Sequence, residues 1–161
     1  MILDLQTTFS GAVAADGTKT AQAITATAIS TNVVDTRSPS GGPAAVDLGI
    51  IGGQGGLWLI VQTIAAFNTL TSLTITLESD TAVGLGTANV VHYSTGAILL
   101  AALTANTVLV RTQLPSSSYK RYVGLRYTVG GTNPTLGSVL AYLTFDHGYN
   151  PIYPGNFTID V

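Results

Sequence analysis

The stretch Leu73-Thr74-Ile75-Thr76-Leu77-Glu78 alternates strictly between apolar and polar residues. Successive side chains of a β-strand point to opposite faces of its sheet, so this period of two predicts a strand with one buried face. Residues 121–129 and 138–146 repeat the pattern, and each predicts a half-buried antiparallel strand. The apolar positions of these two stretches are Val123, Leu125, Tyr127 and Val129, and Val139, Ala141, Leu143 and Phe145.

The other strand candidates vary in strength. Residues 57–61, with the sequence Leu-Trp-Leu-Ile-Val, are apolar on both faces, which predicts a strand in the middle of a doubly covered sheet. Weaker strands are predicted at 21–28, 32–35, 90–93, 97–103 and 107–114, although 97–103 could equally form a short helical turn. Gly- and Pro-rich segments separate the candidates. About eight to ten short strands at this spacing predict an all-β antiparallel sandwich, with a jelly roll as the favoured arrangement.

The composition points to a folded chain whose surface is covered by neighbours. Only 9% of the 161 residues are charged, where globular proteins average roughly 25%. A mean hydropathy of +0.42 argues against disorder, which requires low hydrophobicity. We therefore expect one folded domain over residues 1–161 with much of its exterior hidden by other subunits.

Charge and hydropathy also exclude several partners. The net charge is −2, and the six Lys and Arg residues are scattered, so no basic footprint for nucleic acid is present. No apolar run is longer than seven residues, whereas a membrane helix needs about 20. We see no signal peptide at the N-terminus. The sequence thus predicts neither nucleic-acid nor membrane binding.

The residues that carry chemistry do not form a recognisable catalytic pattern. Glu78 and Asp80 are two residues apart, which predicts that their side chains share one solvated face of a strand. His92 and His147 are predicted to be hydrogen-bonded sheet or loop residues, because two His and no Cys do not make a zinc site. Neither a G-x-S-x-G elbow nor a phosphate-binding loop occurs. We expect no enzymatic activity, no cofactor, no metal and no small-molecule substrate.

The C-terminal segment differs from the rest of the chain. Tyr149, Tyr153 and Phe157 recur four residues apart among prolines and turn formers, and the prolines exclude a central strand. The segment either folds back over its own core or forms an arm whose aromatic residues dock on a neighbour. We predict a sandwich core at about 20–146 with arms at 1–10 and 147–161. The candidate interface residues are Ile2, Leu3, Leu5, Phe9, Tyr149, Tyr153 and Phe157.

Several strings along the chain are similar to one known family. They are Ile2-Leu3-Asp4, Phe9-Ser10, the distinctive segment 23–35, Asp47-Leu48-Gly49, Leu57-Trp58-Leu59, Arg121-Tyr122, Tyr127-Thr128-Val129-Gly130-Gly131, Gly137, and the ending 153–158. In these strings the chain resembles the capsid cement (decoration) proteins of the Bordetella-phage type. Residues 13–20 and 37–46 look like expansions relative to that family.

The resemblance implies a structural virion protein with a jelly-roll fold. It implies a homotrimer that is made in the host cytoplasm, binds the outer surface of an icosahedral bacteriophage head, and stabilises contacts between major capsid subunits. The alternative is a carbohydrate-binding jelly roll from a tail fibre or a lectin. Tyr93, Tyr119 and Tyr142 would be the aromatic residues of its sugar site.

Overall fold

The computed structural model describes residues 7–13, 18–36, 56–86 and 88–144. Within this part of the chain there are twelve strands and one 3₁₀ turn at Leu100–Ala102. The short strands come first: β1 Thr8–Ser10, β2 Ala12–Val13, β3 Lys19–Thr20, β4 Gln22–Ala23, β5 Ala28–Ile29 and β6 Val34–Asp35. The long strands follow: β7 Trp58–Ala65, β8 Leu70–Asp80, β9 Val90–Leu99, β10 Val108–Gln113, β11 Tyr122–Gly131 and β12 Ser138–Thr144.

Two antiparallel sheets pack against each other and form an all-β sandwich, which confirms the predicted fold class. The first sheet has the order β1-β12-β7-β10, and β4 also pairs with β12. The second sheet has the order β5-β11-β8-β9, and β6 also pairs with β11. The strands β2 and β3 form a separate hairpin. The jelly roll stays a prediction, with which this strand order is compatible.

The core lies between the two sheets and is built from the alternating stretches. In β8 the side chains of Leu73, Ile75 and Leu77 are fully buried, as their period of two predicts. The matching apolar positions of β11 and β12 are also buried or packed against the core, namely Val123, Leu125, Tyr127, Val129, Val139, Ala141 and Leu143. Phe145 lies outside the described residues. The three strongest strand predictions are therefore confirmed.

The doubly apolar stretch forms the interior strand β7, which lies between β12 and β10. Leu59 and Val61 belong to the core, whereas Ile60 points to the opposite face and is only 7% exposed. Residues 97–103 are predicted to form either a strand or a short helical turn, and the structure contains both. The strand β9 continues to Leu99, and the 3₁₀ turn follows directly.

The two ends of the sandwich differ in how the chain crosses them. At one end the segments 24–27, 66–69, 100–107 and 132–137 each connect one sheet to the other, whereas 114–121 connects them at the opposite end. At the opposite end the described chain enters the first sheet at Thr7 and leaves it after β12. These two points are neighbours, because the backbone N–H of Leu143 donates a hydrogen bond to the carbonyl oxygen of Thr7 at 2.7 Å.

The structure corrects the predicted N-terminal arm at its inner end. Phe9 is fully buried in the core and is not an exposed interface residue. Its strand is held firmly, since Asn32 donates hydrogen bonds to the carbonyl oxygens of Thr8 and Phe9 and the Ser10 hydroxyl lies 2.8 Å from that of Tyr127. The strand β1 therefore belongs to the sandwich, because an apolar ring at this position gains more from burial between the sheets than from exposure on an arm.

Candidate functional site

Most of the predicted interface lies beyond the part of the chain that can be described. Ile2, Leu3, Leu5, Tyr149, Tyr153 and Phe157 fall outside the described residues, as does His147, and their roles stay predictions. The candidate site is therefore built from the surface of the sandwich and from the polar clusters that shape it.

The largest polar cluster lies on the outer face of the second sheet. Glu78 is only 2% exposed, which contradicts the predicted solvated position. Its carboxylate lies 3.0 Å from the guanidinium of Arg126 and also accepts hydrogen bonds from Thr76 at 2.7 Å and Asn89 at 3.0 Å. A buried carboxylate is tolerated only when it is paired in this way. The cluster thus joins β8, β11 and the start of β9.

Asp80 organises the loop that follows β8. Its side chain is fully buried, again in contrast to the predicted solvated face. Its carboxylate accepts the backbone N–H groups of Thr81, Ala82 and Ala88, so the loop is folded back on itself. Leu85, at the tip of this fold, is fully buried and has a positive φ of 48°. The loop covers the sheet face, and this cover removes Glu78 and Asp80 from solvent.

The same loop explains why a glycine stands in the middle of β11. A Cβ at Gly124 would lie 2.8 Å from Leu85 and 3.1 Å from the Ser30 hydroxyl. The absence of a side chain at Gly124 therefore makes room for Leu85 to pack against the sheet.

His92 fastens the edge strand β9 to two other segments. Its Nε2 lies 2.7 Å from the Ser79 hydroxyl, and its Nδ1 lies 2.9 Å from the Ser117 hydroxyl. Its ring packs against that of Tyr119 at a tilt of 34°, with 4.1 Å between the centroids. Burial, together with the charge of Lys120, lowers the pKa of His92 and so favours the neutral imidazole. The prediction of a hydrogen-bonded sheet histidine is confirmed.

Glu78 makes the stability of the protein depend on pH. Burial raises the pKa of its carboxyl group, but the hydrogen bonds from Arg126, Thr76 and Asn89 outweigh burial and hold the pKa below its ordinary value of 4.5. A lowered pKa adds stability above the unfolded-state pKa, and this stability is lost as the pH falls through the folded-state pKa. In urea titrations between pH 7 and pH 3, we expect the gap in unfolding free energy between wild type and Glu78→Gln to shrink. A gap that stays constant with pH would contradict this assignment.

The three tyrosines of the alternative sugar site do not come together. Tyr119 is fully buried, and its hydroxyl donates to the carbonyl oxygen of Pro115, so the structure contradicts a role as an exposed sugar platform. Tyr93 packs against the core from β9. Tyr142 lies across from Ile60 in the first sheet, and burial raises its pKa. With Tyr119 buried, these three tyrosines thus do not form the exposed aromatic surface that a sugar site needs.

The edge strand β9 is the longest exposed edge among the described strands. It pairs with β8 on one side, and no other described strand pairs with its outer side. Val90, Val91 and Leu99 are 41%, 51% and 62% exposed. Natural proteins protect an exposed edge with Lys, Pro or β-bulges; β9 contains no Lys or Pro, but its register shifts twice against β8 in the manner of a bulge. The exposed apolar side chains of β9, more than its backbone edge, are therefore suited to contact another protein.

The described part of the chain contains no group of three His, Cys, Asp or Glu side chains that could hold a metal ion. In the same residues every buried side-chain nitrogen and oxygen has a hydrogen-bond partner. No helix that is long and apolar enough to cross a membrane occurs in these residues. The described polar groups thus serve to hold the sandwich together.

A family model described as Bbp16 matches residues 18–143, which cover most of the chain. The matched region contains β7 to β12 and so covers the long strands, with only the last residue of β12 outside it. It excludes β1, β2 and both predicted arms. No curated protein matches the chain.

Proposed function

The chain belongs to the Bbp16 family of Bordetella-phage proteins, and from this membership we propose that it is a structural protein that cements the phage capsid from outside. Its partners would be the major capsid protein and further copies of itself. It would act by binding and without any chemical step. Its place would be the outer surface of the head, reached after synthesis in the host cytoplasm.

The observation that carries this proposal is the contrast between satisfied polar groups and exposed apolar ones. The described buried polar atoms all have partners within the sandwich, whereas Val91 and Leu99 on the edge strand β9 are more than half exposed. A surface of this kind favours protein contacts. Neighbours that cover this apolar surface would also account for the low share of charged residues, 9%.

The proposed assembly is a homotrimer, in keeping with the resemblance to cement proteins. A specific contact buries ~800 Å² on each partner. Three linked copies bind the shell together, so the second and third contacts are intramolecular and the avidity rises by roughly 10²-fold or more. Because few charges are present, we expect the contacts to depend little on salt.

The proposed attachment uses the chain beyond the sandwich. Residues 147–161 would form an arm with Tyr149, Tyr153 and Phe157 as anchors, since aromatic residues are favoured at the centres of interfaces. The corresponding N-terminal arm would end before Thr8, with Ile2, Leu3 and Leu5 as its apolar residues. Such arms can add backbone hydrogen bonds at the edge of a neighbouring sheet.

Removing the arm tests this function. We expect deletion of residues 147–161 to weaken binding to heads that lack the protein by at least 10²-fold, because three contacts of each trimer are lost together. Co-sedimentation with such heads measures the binding, and circular dichroism checks that the sandwich still folds. A full-length variant with Tyr149→Ser, Tyr153→Ser and Phe157→Ser is the matched control for chain length and should show the same loss. Undiminished binding by both variants would contradict the arm, and absence of binding by the wild-type protein would contradict the cement function.

A further inference from the structure

One end of the sandwich carries no charge. It is formed by three of the loops that connect the sheets, together with the strand ends beside them, at residues 64–70, 97–109 and 130–138. These 29 residues include no Lys, Arg, His, Asp or Glu, although roughly a quarter of the residues of an average protein are charged. We call this surface the uncharged end.

The described charges lie elsewhere on the sandwich. The charged side chains that the structure describes are Asp35, Glu78, Asp80, Arg111, Lys120, Arg121 and Arg126. Asp80 and Arg121 stand at the opposite ends of their strands from the three loops, as the pairing of Asp80 with Tyr122 and of Leu70 with Gly131 shows. The described charged side chains thus lie away from the uncharged end, along the strands and at the opposite end of the sandwich.

The uncharged end presents large apolar side chains to the solvent. Leu99 at the end of β9 is 62% exposed, Val108 at the start of β10 is 52% exposed, and Leu136 in the loop before β12 is 63% exposed. Each would gain by burial against another apolar surface, at roughly 25 cal/mol for each Å² removed from water.

The loops of this end are fixed by hydrogen bonds of uncharged side chains. Asn68 is the centre of this arrangement, because its Oδ1 accepts the backbone N–H groups of Thr135 and Leu136 at 2.9 Å and its Nδ2 donates to the Thr135 hydroxyl. Thr69 donates to the carbonyl oxygen of Asn133. Thr63 accepts the backbone N–H of Thr107 at 2.9 Å. The polar groups named here are therefore satisfied within the protomer, which leaves the apolar ones for contact with a partner.

The backbone of this end is also strained. Thr69 has a φ of 60°, and a β-branched residue rarely adopts a positive φ. Such a conformation is unfavourable and persists only where the surroundings impose it. The strain holds the 66–69 loop in a defined shape, as a rigid contact surface requires.

We propose that the uncharged end is the surface through which copies of this chain meet around the axis of the oligomer. Near a rotation axis each side chain faces copies of itself, so a charged residue there would oppose its own charge, whereas Leu, Thr and Ala would not. The described chain enters and leaves at the other end of the sandwich, which leaves the proposed arms free to reach the shell. This inference rests on the proposed function, because it assigns the self-contact of the cement oligomer.

A charge placed on the uncharged end tests the proposal. The variant Leu99→Asp/Leu136→Asp puts two carboxylates of each protomer at the proposed contact. The matched control is Val83→Asp, because Val83 is 60% exposed and lies in the loop after β8, away from the uncharged end. Analytical ultracentrifugation gives the mass, circular dichroism checks folding, and co-sedimentation with heads gives binding.

We expect the wild type and Val83→Asp to sediment at three times the chain mass of 16.5 kDa and the double variant to sediment as a single chain. Binding of the double variant to heads should fall by roughly 10²-fold, since avidity is lost. A double variant that keeps the wild-type mass overturns the inference, and if it also loses head binding, the uncharged end faces the shell. A wild-type protein that is monomeric but binds heads overturns the inference and leaves the cement function standing.

Discussion

Phe9→Ala is expected to lower the free energy of unfolding by about 3–5 kcal/mol. The ring of Phe9 is fully buried in the core, so its removal both returns apolar area to water and leaves a cavity. A cavity at this position is hard to fill, because β1 is bound to Asn32 and Tyr127 and cannot move inward freely. Urea unfolding followed by circular dichroism measures the change.

The matched control is Val83→Ala, which removes apolar side-chain atoms from a residue that is 60% exposed and lies away from the uncharged end. Its effect on the unfolding free energy should stay within about 0.5 kcal/mol. If Phe9 belonged to an arm, Phe9→Ala would leave the unfolding free energy unchanged and would weaken binding to heads. That result would reject the burial described above.

Arg126→Ala is expected to lower the free energy of unfolding by about 3–5 kcal/mol. Arg126 is the only cation within salt-bridge distance of Glu78 among the described residues, and the Glu78 side chain is 3% exposed. Its loss leaves a buried negative charge without its counter-charge and also removes the hydrogen bond from Arg126 to the carbonyl oxygen of Leu85. The destabilisation should therefore extend to the loop after β8.

Arg121→Ala provides the control for this experiment. Arg121 pairs with Asp35 at 2.9 Å, but the two side chains are 39% and 36% exposed. Exposed pairs contribute about 0–1 kcal/mol, so the loss should stay in that range. Adding Glu78→Gln to Arg126→Ala should recover part of the lost stability, because the neutral amide does not need the cation. Equal effects of Arg121→Ala and Arg126→Ala would show that burial does not distinguish the two pairs.

The strands that carry the core could be predicted because their side chains alternate. In β8, β11 and β12 the buried positions follow directly from the period of two. The short strands β4 and β5 could not be bounded, since a two-residue strand has no detectable period. From the sequence, Phe9 was assigned to an arm and not to the core, because an apolar residue near the end of a chain fits a core strand and an arm equally well.

The position of Glu78 shows where pattern reasoning fails. Alternation correctly placed Glu78 and Asp80 on the outer face of their sheet, but it contains no information about what covers that face. The face is covered by a loop whose fold depends on Asp80, on the positive φ of Leu85 and on the missing side chain at Gly124, which leaves room for Leu85. The uncharged end was equally hidden, because its three loops are far apart in the sequence and only the topology brings them together.

The neighbouring entry and exit of the chain at Thr7 and Leu143 determine how the protein would respond to mechanical load. A tension applied between the two flanking segments acts first on the β1–β12 pair, where both segments are attached. Because both segments pull from the same end of an antiparallel pair, the force would load its hydrogen bonds one after another instead of shearing them together. The bonds of β1 to Asn32 and Tyr127 and the buried ring of Phe9 would oppose this opening, so that release of β1 would also open the core.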